Sequence, residues 1–429
     1  MRRTLLLLIL LAGSLAAGAV RTDSLTLEIG RRIDSVRNGY AQFLERSQLG
    51  LSVYDLTADT AVYACGSRQH LRPASTQKLF TAVCALSLLG GDYQYTTTLL
   101  ALPADTLRAD TLASAPPPAN HWHGSLAVRG GMDPQFGRQD LQTFVSAVRG
   151  LGADTLDGDL ILDLSMKDGL RLGWGWCWDD DDRPLTPLTY QGRDDFARAF
   201  TDALAAAGIV LAGQVRESLS PVKGHTLSQT RVSIDRILQR MMKRSDNQYA
   251  ESLFYQMGPS RQKVAQRMLS VLRSAGVDME GNEVADGSGL SLYNYTTPAS
   301  LVALLRHAYR TPPLYRHLQP ALPLAGYDGT LSKRMTGGPA CRNVMAKTGT
   351  LTGVSTLAGY ALAANGHMLA FAIMNQGISS SGEAHRFQDA VCQALCRPLV
   401  CTPAADLPDP AQDPLPLPDE SEEQLTAPL

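Results

Sequence analysis

The chain lacks any marked excess of charge. Its 429 residues carry 39 Lys and Arg against 41 Asp and Glu, a formal net charge of -2. That balance excludes the basic footprint of a nucleic-acid binder and the polybasic patch of a membrane-surface protein. Long hydrophobic runs are also missing beyond the N-terminus. No later segment reaches the roughly 18 apolar residues of a spanning helix. No Cys-x-x-Cys pair occurs among the seven cysteines, and no zinc-ligand spacing is present. His121 and His123, in HWHG, have no third ligand in view and read as surface histidines. No metal and no cofactor is expected, and no internal repeat is found.

What is present begins with MRRTLLLLILLAGSLAAGAV. Arg2 and Arg3 precede an apolar core at 5–11, and small residues follow up to Ala19. This is the pattern of a secretory signal peptide, expected to span 1–19. No cysteine follows the core, which argues against a lipoprotein. A periplasmic protein is expected, soluble or loosely membrane-associated. Export permits disulfides, but an odd cysteine count leaves at least one thiol over.

Residues 23–46 read as one helix, with Ile29, Ile33, Val36, Tyr40 and Phe43 at helical spacing. LGLSVYDL and TAVYAC alternate like strands. Three more strand patterns come late, NVMAKTGT, STLAGYALAA and HMLAFAIMN, and the helical GEAHRFQDAVCQALCRPL follows. Mostly helical sequence fills 232–310. The simplest assembly is an α+β domain built on a five-stranded antiparallel sheet. First and last helices cover one face, and a helical subdomain covers the other. This domain is expected from 20–90 and 227–401. Between them, 91–226 reads as a smaller inserted α/β domain with short strands, a proline run at 116–118 and the segment GWGWCWDDDD. The Pro- and acid-rich tail, 402–429, is expected to be disordered.

Three short motifs carry the chemistry. In RPASTQKLFTAV, Ser75 stands three residues before Lys78, so hydroxyl and amine share a helix face. Pro73 suits a first turn, where backbone N–H groups favour developing negative charge. Lysine activates a serine only when neutral, and burial or a second cation pushes it that way. Alone the pair is weak evidence, because roughly one or two such matches arise by chance in a chain this long. Ser245-Asp246-Asn247 and Lys347-Thr348-Gly349 change the odds, since each tripeptide occurs by chance in about one such chain in ten. Ser245 can relay a proton to a leaving amine, and Asn247 can hold Lys78 and a substrate amide. Lys347 can attract a substrate carboxylate and depress the pKa of Lys78, and Thr348 can donate to that carboxylate. Gly349 is expected to leave the strand edge open to a ligand backbone. The N–H groups of Ser75 and Thr350 can form an oxyanion hole.

With these motifs, PASTQKLFTA, RGGMDP, GWGWCWDD, RSDNQYAES, DGSGLS and AKTGTLTGVSTLAGY make the chain similar to the class C low-molecular-mass penicillin-binding proteins, the D-alanyl-D-alanine carboxypeptidase/endopeptidase family. The resemblance implies a penicillin-binding, serine β-lactamase-like fold. It implies peptidoglycan stem peptides ending in D-Ala-D-Ala as substrates, cleaved through an acyl-serine, and β-lactam antibiotics as ligands of the same serine. Leu292 stands where the family often has a basic residue, and Cys177 interrupts the tryptophan-acid segment. A class A β-lactamase is the nearest alternative, but 248–300 lacks its E-x-x-L-N segment. A catalytically weak wall-binding or β-lactam-sensing protein is the other, and it has no need of an intact trio. None of the three motifs falls in 91–226, so acylation by small β-lactams is expected to survive its removal.

Overall fold

A computed structural model describes residues 24–103, 120–177, 180, 183–363 and 366–396. The expected leader at 1–19, the proline run at 116–118 and the tail at 402–429 lie outside the described residues. Helices α1 (Ser24–Gly39) and α2 (Ala41–Glu45) lead into strands β1 (Gln48–Asp55) and β2 (Thr60–Cys65). The single helix expected over 23–46 is thus broken at Tyr40. Gly39 is a poor helix former, and the Tyr40 N–H is shared between the carbonyls of Val36 and Arg37. A 3-10 turn (Ala74–Thr76) then opens α3 (Gln77–Leu89).

Strand β3 (Gln94–Pro103) begins a second region. It continues through β4 (His121–Trp122), β5 (Gly124–Arg129), α4 (Arg138–Arg149), β6 (Thr155–Leu156), β7 (Leu160–Asp163), α5 (Phe196–Ala206), β8 (Val210–Leu211), β9 (Val215–Ser218) and β10 (His225–Ser233). Helices α6 (Ile234–Lys243), α7 (Asn247–Gln256), α8 (Arg261–Ser274), α9 (Pro298–Arg310) and α10 (Pro312–Ala321) follow. The hairpin β11 (Met345–Leu351) and β12 (Val354–Leu362), strand β13 (Met368–Gln376) and helix α11 (Ser381–Leu395) complete the described chain.

The main sheet has the order β11-β12-β13-β1-β2, and every pairing is antiparallel. Alternation in its central strands separates two cores. Leu357, Ala361, Leu369, Phe371 and Ile373 face α1 and α11, where Phe387 meets Tyr40 and Phe43. Ala358, Tyr360, Ala370, Ala372 and Met374 face the helical cluster of α3, α6, α7 and α9. Each fully buried Leu, Ile or Phe contributes about 1.5–3 kcal/mol relative to exposure. Helix α3 is buried all round from Gln77 to Leu86 and ends at Gly90, which takes a positive φ of 83°. A helix apolar on every side belongs in a core, so the lysine in its first turn is carried into the interior.

A second five-stranded sheet has the order β10-β3-β5-β7-β9, antiparallel at one end and parallel at the other. It packs Leu99, Val128 and Leu160 with Phe144 of α4 and Phe200 of α5. The boundary expected at 226 falls inside strand β10, which pairs with β3 as far as Ser233↔Gln94. The alternation of HTLSQTRVS makes it a strand, and the apolar helical spacing of α6 starts only at Ile234.

Candidate active site

The site forms where the start of α3, the turn before α7 and the edge strand β11 meet. Ser75 lies in the 3-10 turn, half-buried at the mouth of α3. Lys78 is fully buried, and its Nζ donates to Ser75 Oγ at 2.9 Å, Asn247 Oδ1 at 2.8 Å and the Ser288 carbonyl at 2.8 Å. Lys347 is equally buried and donates to Ser245 Oγ and to the Thr348 carbonyl, both at 2.8 Å. All three motifs therefore converge on one pair of lysines. Asp246, the middle residue of its motif, caps α7 by accepting from the Tyr249 N–H and pairs with Arg240. Two non-glycine residues here hold positive φ, Ala74 at 47° and Ser245 at 59°. Such backbone persists only where packing over-determines it.

Strand β11 is an edge of the main sheet, bridged by Leu324 only at its start, at Met345. The Ala346 N–H points away from β12, to the Pro323 carbonyl. Alternation turns the N–H of Thr350 to that same edge. Gly349 is needed for a reason other than the expected one. A Cβ there would lie 2.9 Å from both the Pro73 carbonyl oxygen and the Ser75 nitrogen, and 2.2 Å from Thr356 Oγ1. Its missing side chain lets the strand press against the turn that carries Ser75. Thr348 donates its hydroxyl to Thr330 Oγ1 at 2.8 Å, a partner with no sequence signal of its own.

Burial lowers the Lys78 ammonium to about 8, while Asp286, Glu251 and Asp246 pull the other way. Lys347 is pushed well below the usual lysine range, by burial first and by Lys78 second. From the sequence, burial and Lys347 together are expected to depress Lys78. Burial is the larger cause at both lysines, and the repulsion between the two ammoniums lowers Lys347 further. No carboxylate offsets burial at Lys347, whereas three do so at Lys78. A neutral Lys78, hydrogen-bonded to a half-buried serine at a helix start, can take the hydroxyl proton as the oxygen attacks an acyl carbon.

One contributor comes from the expected insert. The loop 286–291 lies between α7 and the Ser75 turn, and it supplies the Ser288 carbonyl that receives Lys78. A Cβ on Gly289 would stand 1.8 Å from the Ala74 oxygen. Asp286 organises the loop by accepting from the N–H groups of Gly289 and Ser291, from Asn294 Nδ2 and from Trp176 Nε1 at 3.0 Å. Trp176 belongs to the tryptophan segment of 91–226. That region thus reaches the support of Lys78, against the expectation that acylation is indifferent to it. Trp176→Phe removes one donor from a buried carboxylate, at about 1.5–3 kcal/mol. Thermal unfolding should shift down and penicillin acylation should slow. An acylation rate equal to the parent's would show that the segment does not bear on Lys78. His121 and His123 lie apart from this site, and both turn Nδ1 to Asp157, at 2.6 and 2.5 Å.

The pattern of the D-Ala-D-Ala carboxypeptidase 3 (S13) family matches residues 33–189 and 183–397. The chain belongs to this S13 family. Among its relatives, the D-alanyl-D-alanine carboxypeptidase DacB of Haemophilus influenzae is 26% identical, over 78% of this chain and 87% of that one. Carboxypeptidase DacB of Mycolicibacterium smegmatis is 31% identical over 80% of each. The solved penicillin binding protein 4 of Haemophilus influenzae superposes with a TM-score of 0.74 at 24% identity. That match covers 82% of this chain and 97% of the other, and it shows the shared S13 fold. No helix among the described residues is long and apolar enough to cross a membrane.

Proposed function

We propose that this chain removes the terminal D-alanine of peptidoglycan stem peptides, or cuts D-alanyl cross-links, through an acyl-enzyme on Ser75. β-Lactams acylate the same serine. The observation that carries this reading is the Lys78 ammonium, buried and shared between Ser75 Oγ and Asn247 Oδ1. Membership of the S13 family supports it.

In the first step neutral Lys78 accepts the Ser75 proton as Oγ bonds to the carbonyl carbon of the penultimate D-alanine. The N–H groups of Ser75 and Thr350 receive the oxyanion. Collapse breaks the C–N bond, and the leaving amine takes its proton from the Lys78–Ser245 side of the site. Water then releases the acyl group from Ser75. Lys347 and Thr348 hold the terminal carboxylate of the substrate. No cofactor enters any step. Residues 20–90 and 227–401 supply all of these groups, and the unit at 91–226 adds Trp176. The pattern of residues 1–19 supports export to the periplasm, where peptidoglycan lies.

Incubating the purified protein with muropeptides and identifying the products by mass spectrometry tests the reading. Loss of one D-alanine from pentapeptides, or resolution of cross-linked dimers, is expected, and penicillin should block both. Binding without turnover would replace this function with a sensing role.

A further inference from the structure

Glu251 lies one helical turn beyond Asn247 on α7, on the same face. It is 1% exposed, although a carboxylate in such a place needs strong partners. Its Oε1 accepts from the N–H groups of Gly287 at 3.0 Å and Ser288 at 2.8 Å. The carbonyl of that same Ser288 receives Lys78. Helix α7 therefore grips Lys78 twice, directly through Asn247 and at one remove through Glu251 and the loop. The loop cannot shift away. A Cβ on Gly287 would lie 2.5 Å from Phe254 Cβ and 2.8 Å from the Ala250 oxygen, and the Gly287 carbonyl accepts from Thr81. None of the steps proposed above uses Glu251.

We propose that Glu251 is a positioning residue for Lys78: it fixes the Ser288 carbonyl against the amine, and its own charge governs how readily Lys78 gives up a proton. This rests on the reading of Lys78 as the base for Ser75. An ionised Glu251 holds the proton on Lys78, and a neutral one lets it go. Burial, reinforced by Asp286, raises the Glu251 carboxyl to about 8, the value to which Lys78 falls. The two groups thus titrate over one range, as a coupled pair. The other charges around them are Asp286 on the loop, Asp246 at the start of α7, Lys347 on β11 and Lys167 from the expected insert.

The test is the rate of Ser75 acylation by a fluorescent penicillin, measured against pH. Glu251→Gln keeps an acceptor for both N–H groups and cannot ionise. Its acid limb should move to lower pH by less than about one unit. A few-fold gain in rate should be confined to the pH range around about 8 where Glu251 of the unaltered protein is ionised, with no gain well below it. Glu251→Asp keeps the charge but draws the carboxylate back from the loop. Its limb should stay in place while the rate falls at every pH. A limb unmoved in folded Glu251→Gln overturns the proposal, and so does a limb moved downward in Glu251→Asp. If Glu251→Gln does not fold, the titration of Glu251 in the unaltered protein decides, by carbon-13 carboxyl shifts. A midpoint near the ordinary carboxylate value overturns the proposal, and one near neutrality or above upholds it. Absence of acylation at Ser75 in the unaltered protein is a separate outcome, and it removes the base reading itself.

Discussion

Ser75→Ala abolishes covalent labelling by fluorescent penicillin. Among the described residues, the Ser75 hydroxyl is the one bonded to the Lys78 amine, and alanine leaves nothing there to form the ester. The fold should survive, because Ser75 is half-buried and its Oγ partners only the Lys78 amine among the described contacts. Lys78→Met keeps the hydroxyl and removes the base. General base catalysis contributes typically ~10²–10⁴-fold, so labelling of that variant should be slower by such a factor without being abolished. In the unaltered protein the acylation rate should climb as pH rises through about 8, because only neutral Lys78 accepts a proton. Full labelling of Ser75→Ala would place the nucleophile elsewhere and dismantle the mechanism.

Lys347→Met has the second large effect, and it falls on substrate affinity. The side chain bonds Ser245 and the Thr348 carbonyl and faces the place proposed for a terminal carboxylate. Losing a charge-assisted contact of about 1.5–3 kcal/mol should lower acylation efficiency with carboxylate-bearing substrates by on the order of 10²-fold. The acid limb should stay near its original pH. Burial, not Lys347, is the main cause of the low Lys78 value. Lys347→Arg keeps a cation but brings a planar fork into a fully buried slot, and it should not restore the rate. Steady-state kinetics against pH, on substrates with and without the carboxylate, separate these effects. A limb displaced upward in Lys347→Met would mean that Lys347, and not burial alone, depresses Lys78.

The reactive groups were legible because their chemistry is written in short spacings. Ser75 and Lys78 are one helical turn apart, and each of the other two motifs is contiguous. The five strands of the main sheet were equally legible from alternation in LGLSVYDL, TAVYAC and the last three strand runs. What surrounds the amines was not. Glu251, Asp286, Thr330 and Trp176 act on the site across tens or hundreds of residues, and no local pattern announces such contacts. DGSGLS was visible as a turn-rich stretch, but its cradle of backbone N–H groups emerges only when α7 and the tryptophan segment close on it. Gly349 was read as an opening for ligand and turned out to admit the Ser75 turn. Absent side chains leave the neighbour unspecified. The depression of Lys78 by burial was legible in its apolar helix, but the relative weight of burial and of Lys347 was not, because sequence shows which charges exist and not how deeply each is buried.

Peptide mapping of the penicillin adduct on the unaltered protein tests the central claim most directly. The account predicts a single modified fragment, the one containing Ser75, formed faster as pH rises through about 8. An adduct on any other residue, or release of D-alanine from stem peptides with no adduct at Ser75, would contradict it.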